Sequence, residues 1–289
     1  MSVIDSVRAV EFAPRLKRPS VRRVLRRPGL VLAWIVVAFV GVAAAFPGLL
    51  TSHDPLGKTG ARLAPPSGEH LFGTDNLGRD LFARVVYGTA ESVQAVLIAV
   101  VVGLVVGSLI GLVAGFVGRW VDDVLMRIID VLLAVPTLLI SLAFIAALGF
   151  GTVNIAIAVG IGNIASFARV MRSEVLRIKG TAFVEATTFA GIGRLRVLSR
   201  HVLPNAAGPV LVLATLELGL ALLSVSALSF LGFGTPPPAP EWGSLVAAGR
   251  DYLLAAWWMA TLPGLVIAAT VLAANRIARS ANRDHAVNF

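Results

Sequence analysis

The chain has 289 residues, of which 57% are hydrophobic and only 14% charged, with a mean hydropathy of +0.84. A water-soluble domain carries about a quarter charged residues, so a soluble globular fold is excluded and several membrane spans are required. Cysteine is absent, which removes disulfides and thiolate metal sites, and the net charge of +9 is read as topogenic rather than as a nucleic-acid footprint, because membrane orientation alone demands basic cytoplasmic loops.

Residues 1–28 form a basic tail with eight Lys and Arg residues. A spanning helix needs about 20 mostly apolar residues, and the first such run covers 29–50. The polar stretch 51–91 follows as a loop and contains Phe72-Gly73-Thr74-Asp75-Asn76-Leu77-Gly78-Arg79-Asp80. Gly, Asp and Asn at this density build turns. Asp75, Arg79, Asp80 and Arg84 can pair with one another on a surface, contact a substrate, or seat a docking protein. The second span, 92–117, carries Gly103, Gly107, Gly111 and Gly115 at every fourth position. They make one smooth stripe, against which another backbone can approach closely in lipid. The third span covers 124–148, with Asp130 toward one end, and the fourth 151–169. Gly149-Phe150-Gly151 marks the turn between them. Ala158, Gly162 and Ser166 repeat the small-residue spacing in the fourth span.

The connection 170–206 is polar and basic. From Thr181 to Ala190, Phe183, Ala186, Thr187 and Ala190 fall at i, i+3, i+4 and i+7, one face of a short helix. Gly191 can end that helix in a left-handed conformation, and Pro204 fits near the start of the next span, where a missing N–H costs little. Such a surface helix either seats in a groove of a partner protein or rests on lipid headgroups. The fifth span, 207–231, holds Glu217. A charged acid at mid-depth costs about 3 kcal/mol, so Glu217 should face a wet or protein interior. It is either a pathway contact for a positive group or an internally held acid.

Thr235-Pro236-Pro237-Pro238-Ala239-Pro240 predicts a stiff extended connector. Trp242, Tyr252, Trp257 and Trp258 are expected at the outer interface, where amphipathic rings settle. The sixth span covers 255–275, and a tail follows over 276–289. Twenty Lys and Arg residues lie on the side of the two tails and the 170–206 connection, against five on the other. That asymmetry places both termini in the cytoplasm and the loops 51–91 and 232–254 outside.

Nothing in the sequence has the form of a catalytic set. There is no Gly-x-x-x-x-Gly-Lys-Ser/Thr run for phosphates and no His-Glu-x-x-His pair. His53, His70, His201 and His285 are scattered between loops assigned to opposite sides, so no metal site is expected.

Three motifs carry a resemblance. Glu185-Ala186-Thr187, three residues, Gly191, nine residues, His201, one residue and Leu203-Pro204 resembles the EAA signature of binding-protein-dependent ABC importer permeases. Thr187 replaces the second alanine of that pattern and His201 its isoleucine. The run His201-Val202-Leu203-Pro204-Asn205 is similar to the peptide branch of the family. The Gly73–Asp80 run, with Arg84 and Gly88 after it, resembles a signature in the first external loop of dipeptide and oligopeptide permeases. A basic residue usual after Gly88 is missing, and Glu91 stands nearby. The third match is Leu228-Ser229-Phe230-Leu231-Gly232-Phe233-Gly234, followed by Glu241-Trp242-Gly243.

The resemblance implies an all-α membrane protein with six transmembrane helices, in the type I ABC importer permease fold. A cytoplasmic coupling helix would dock into a cleft of an ATP-binding subunit. There Glu185 would meet a basic group, while Ala186 and Gly191 allow close approach. The implied partners are a second homologous permease, two ATP-binding subunits and an extracytoplasmic substrate-binding protein, in a bacterial inner membrane. ATP and Mg2+ would reside in the partners, and this chain would bind no cofactor and no nucleic acid. Peptides are the expected substrates; nickel chelates, glutathione and haem are alternatives within the branch. A secondary transporter driven by an ion gradient is a rival. It predicts broken spans with mid-depth acids, of which only Glu217 is evident.

Overall fold

A computed structural model describes residues 28–286, so the basic tail expected over 1–28 lies, apart from Pro28, outside the described residues. Among these there is no strand; two isolated bridges, Lys58 with Arg79 and Thr74 with Asp80, are the extent of β pairing. Helix α1 (Pro28–Ala45) is followed by a 3-10 turn at Pro47–Leu49. Helix α2 (Leu81–Val117) comes next, then α3 (Arg119–Ala134) and α4 (Thr137–Leu148). Helix α5 covers Thr152–Lys179 and the short α6 Ala182–Phe189. One turn of α7 (Arg194–Val197) runs through a π-helical segment, Leu198–Val202, into α8 (Leu203–Leu228). After a second π segment at Ser229–Phe233 come α9 (Trp242–Gly249), a 3-10 turn and α10 (Trp258–Ala286).

Five helical stretches are long and apolar enough to cross a membrane, and the bent pair α3–α4 makes a sixth span. The third span is therefore not the single helix read over 124–148. Its two halves meet at 96°. Pro136 explains the break, because its ring crowds the preceding residue out of the helical region, and Val135 is extended at φ −100°, ψ 131°.

Other boundaries move for local reasons. Helix α2 begins at Leu81, inside the loop expected to reach 91, because the Asp80 carboxylate accepts the Ala83 N–H at 2.7 Å and caps the first turn. Helix α5 continues ten residues past 169. At its end the Lys179 ammonium donates to the Phe116 carbonyl at 2.8 Å, satisfying a carbonyl that the end of α2 leaves open. Helix α10 starts at Trp258 and runs through the stretch read as a C-terminal tail as far as Ala286. Pro204 is the second residue of α8, as its place near the start of the span predicts, although the helical path runs on unbroken from Arg194 to Phe233. The π turn just before Pro204, with Leu203 N–H bonded to Leu198 O, widens the coil where proline cannot donate.

The centre of the bundle is the pair α2 and α5. Both helices run in the same direction, since Gly103 faces Asn163 and Gly160, Gly107 faces Ile164 and Phe167, and Gly115 faces Val175. The glycine stripe thus meets a backbone, as the spacing required. A Cβ added at Gly107 would sit 2.5 Å from the Ile164 carbonyl oxygen, a separation real side chains do not adopt. The second stripe serves a different neighbour. Gly162 lies against Thr137 of α4, and Ser141 Oγ donates to the Ala158 carbonyl across the same seam. Helix α3 is tied to α5 by charge: Arg172 grips Asp122 in a two-pronged pair, Nη2 to Oδ2 at 2.7 Å, and Arg169 reaches Asp130 at 2.7 Å. Leu32, Ile35 and Phe39 of α1 and Leu97, Val101 and Leu109 of α2 stay exposed, an apolar surface suited to lipid or to a second membrane subunit.

Candidate functional site

One end of the bundle bears α6. Thr181 starts the helix, accepting the Val184 and Glu185 N–H groups at its carbonyl. Gly191 at φ +74° ends it, with Ile192 N–H bonded back to Thr187 O. This is a Schellman closure, which needs the left-handed residue that glycine supplies. Val184 is the anchor: it is 4% exposed and joins the main apolar core together with Val197 and Val202. Most of the helix's other described side chains face away. Phe183 is 58% and Phe189 90% exposed, and Glu185, Ala186, Ala190 and Gly191 are exposed as well. Thr187 is half-buried, and its hydroxyl donates to Val184 O. The Glu185 carboxylate forms no hydrogen bond or ion pair with a described residue. Phe183 packs edge-on to His201 at 5.1 Å between ring centres. Leu203 and Pro204 are exposed on the same side of the chain's return into α8. The structure therefore gathers Glu185, Ala186, Thr187, Gly191, Leu203 and Pro204 at one end, and leaves an apolar, acid-tipped helix uncovered.

The opposite end holds the Gly73–Asp80 run, and here burial settles its character. Of the three readings open for these charges, pairing, substrate contact or a docking seat, the structure shows pairing, since Asp75 meets both Arg79 and Arg84. The pairing is not on a surface: Asp75, Asp80 and Arg84 are 3%, 1% and 5% exposed. Asp75 Oδ1 accepts the Leu77 and Arg79 N–H groups, and Oδ2 accepts Arg79 Nε at 2.6 Å. Arg84 donates to the carbonyls of Pro55 and Pro238, so it ties the loop to the proline-rich connector. That connector turns at Pro237-Pro238 rather than running straight. Thr74 donates to Ala61 O and accepts from Ala64 N. Gly73 and Gly78 both have positive φ, where a Cβ would strain the turns. With most of its polar atoms bonded within the run or to Pro55, Ala61, Ala64, Pro238 and Tyr252, and the buried Arg84 Nε the exception, the run acts as a staple that closes this end.

Glu241-Trp242-Gly243 completes the staple. Glu241 is fully buried, caps α9 through the Gly243 and Ser244 N–H groups, and accepts from Ser92 Oγ. Trp242 and Trp258, expected at an interface, are instead 1% and 6% exposed. Their indole N–H groups donate to Val85 O and Thr74 O, because a tryptophan with a bonded N–H packs well inside. Trp257, by contrast, is 53% exposed. The histidine reading also changes. His53 and His70, 17 residues apart in sequence, converge on Asp80, a meeting no local spacing signals.

Glu217 lies within α8 at 7% exposed, and its carboxylate has no hydrogen bond or ion pair with a described residue. Nearby, Gly219 lets α8 approach Asn275 of α10.

A bundle of six apolar spans, stapled at one end and presenting a short exposed helix at the other, defines a multi-pass membrane permease subunit. Over residues 107–284 the chain matches the family model described as binding-protein-dependent transport system inner membrane component, and the chain belongs to that family. It is 40% identical to the dipeptide transport system permease protein DppC of Alkalihalophilus pseudofirmus, over 84% of this chain and 80% of that one. It is 42% identical to the di/tripeptide transport system permease protein DppC of Pseudomonas aeruginosa, over 74% and 72%. It is 44% identical to the glutathione transport system permease protein GsiD of Shigella flexneri, over 73% and 69%. Among solved structures, an inward-facing MetNI methionine ABC transporter superposes with a TM-score of 0.53 at 20% identity, covering 68% of this chain and 96% of that one. An amino acid ABC transporter solved with histidines gives 0.54 at 16%, covering 70% and 94%. The fold is that of type I ABC permeases.

The chain is accordingly a permease subunit of an ABC transporter and not an enzyme, and it works with ATP-binding subunits. The ion-coupled alternative falls away. One span is broken as that rival required, at Pro136, but the family assignment covers that very segment.

Proposed function

We propose that the chain is one of two homologous permeases that together enclose a path for peptides across a bacterial inner membrane. Two ATP-binding subunits, holding the ATP and Mg2+, drive it, and an extracytoplasmic binding protein loads it. Both termini and α6 face the cytoplasm in this reading, in line with the excess of basic residues on that side. The observation that carries the coupling role is α6 itself. Among its described side chains Val184 is the buried one, while Phe183, Glu185, Ala186 and Phe189 are left exposed, as a helix meant for a partner's groove would be. Motion delivered there reaches α5 and α8 directly, because α6 lies between them in the chain. ATP binding can shift the bundle only by the difference in affinity of the partner for its two states.

The peptide assignment rests on the relatives, which bear dipeptide, di/tripeptide and glutathione names; glutathione is itself a tripeptide. Glu217 is the candidate contact for a peptide's positive amino end. At 7% exposed it would have to be uncovered by helix movement.

The test is Glu185→Lys in the assembled transporter. The spans fold normally, the ATP-binding subunits co-purify poorly, and ATP-dependent peptide uptake falls. Wild-type retention of those subunits together with wild-type uptake overturns the coupling role.

A further inference from the structure

We propose that His53, His70 and Asp80 form a binding site for a borderline divalent cation, Zn2+ in the first instance, at the stapled end of the bundle. The two imidazoles present the same atom to the same oxygen. Nδ1 of His70 lies 2.8 Å and Nδ1 of His53 3.4 Å from Asp80 Oδ2. All three ligand atoms fall within 4.8 Å of one another. Tetrahedral zinc with bonds of about 2.0–2.1 Å holds its ligand atoms about 3.3 Å apart. The two nitrogen–oxygen distances already bracket that value. The two imidazole nitrogens, within 4.8 Å of each other, must draw closer to hold one ion, and the His53 side chain, 34% exposed, is the freer of the two to move.

The carboxylate is divided suitably for the task. Oδ1 is engaged by the Ala83 N–H, which fixes the plane of the group, and Oδ2 is left to the histidines. A ligand held by an outer partner in this way is the arrangement metal sites use to orient their carboxylates. His70 is fixed by a tight turn, its N–H donating to Ser67 Oγ and its carbonyl accepting from Ser67 and Gly73. The arginines of the same loop are engaged elsewhere: Arg79 by Asp75, and Arg84 by Asp75 and two backbone carbonyls. Imidazole with one carboxylate suits zinc, copper and nickel rather than calcium or magnesium. Three protein ligands leave one coordination position for water. A bound ion would pin the loop at His53 and the turn at His70 to the first turn of α2.

The site is separate from α6 and independent of the substrate assignment, and its test reads metal rather than transport. The purified transporter is stripped with a chelator and titrated with Co2+. The expected result is one strong site per chain, with the visible absorption of tetrahedral Co2+, displaced by Zn2+. His53→Gln removes a partly exposed ligand and lowers affinity at least about 10-fold, the smallest loss that even an outer-shell partner produces. Affinity and spectrum unchanged in His53→Gln overturn the site, and so does a wild type that binds no ion. If the variant does not assemble, acylation of wild-type histidines by diethylpyrocarbonate decides. Saturating zinc protects His53 and His70, and undiminished labelling refutes the proposal by showing a plain His–Asp hydrogen bond.

Discussion

Gly107→Ala is the sharpest test of the packing at the centre of the bundle. The new methyl would lie 2.5 Å from Ile164 O, 2.7 Å from Phe167 Cβ and 3.1 Å from Ala168 N. Two of these atoms are backbone and cannot rotate away. Carbon contacts settle at about 3.5–4.0 Å, so α2 and α5 must part locally by about 1 Å or bend. Over-packing of this kind costs about 1–3 kcal/mol, roughly a 5- to 140-fold shift in the folding equilibrium. Alanine also favours the helix by up to about 1 kcal/mol over glycine in water, which would mask part of the loss. Gly41→Ala in α1 supplies the control, because an added Cβ there meets nothing within 4 Å. The measurement is unfolding of each purified protein in mixed micelles by increasing SDS. Gly107→Ala should unfold at clearly lower SDS than Gly41→Ala, which should match the wild type or exceed it. Equal midpoints for the two variants would refute the claim that the stripe exists for backbone contact.

Glu241→Ala removes the cap of α9 and leaves the Ser92 hydroxyl and two N–H groups without their acceptor. It should destabilise by about 1–3 kcal/mol, seen as a lower melting temperature in detergent with α6 and its partners unaffected; an unchanged melt would contradict the staple. Glu217→Gln should leave assembly intact while lowering peptide uptake, and uptake at the wild-type rate takes Glu217 off the path.

Features written in local runs were legible from the sequence. Six apolar stretches, the glycine stripe and the short helix ending at Gly191 each depend on neighbours a few residues away, where helical spacing and φ preference act directly. The bend at Pro136 was written in the same language, in the residue before a proline, but a continuous apolar run concealed it. The early start of α2 likewise needed only the recognition of Asp80 as a capping residue.

What chain order could not show was the company each side chain keeps. In the sequence Asp75, Arg79, Asp80 and Arg84 suit pairing on a surface, a substrate contact or a docking seat, and Trp242 and Trp258 suit interfacial rings. The fold buries five of the six, leaving Arg79 partly covered, because residues 51–80 and 234–258 close over the same end of the bundle and satisfy one another's donors and acceptors. His53, His70 and Asp80 meet through the folding of the 51–80 segment on itself. Burial and convergence are properties of contacts between distant segments; hydropathy and spacing, acting over a few residues, determined the spans and left those meetings to the tertiary structure.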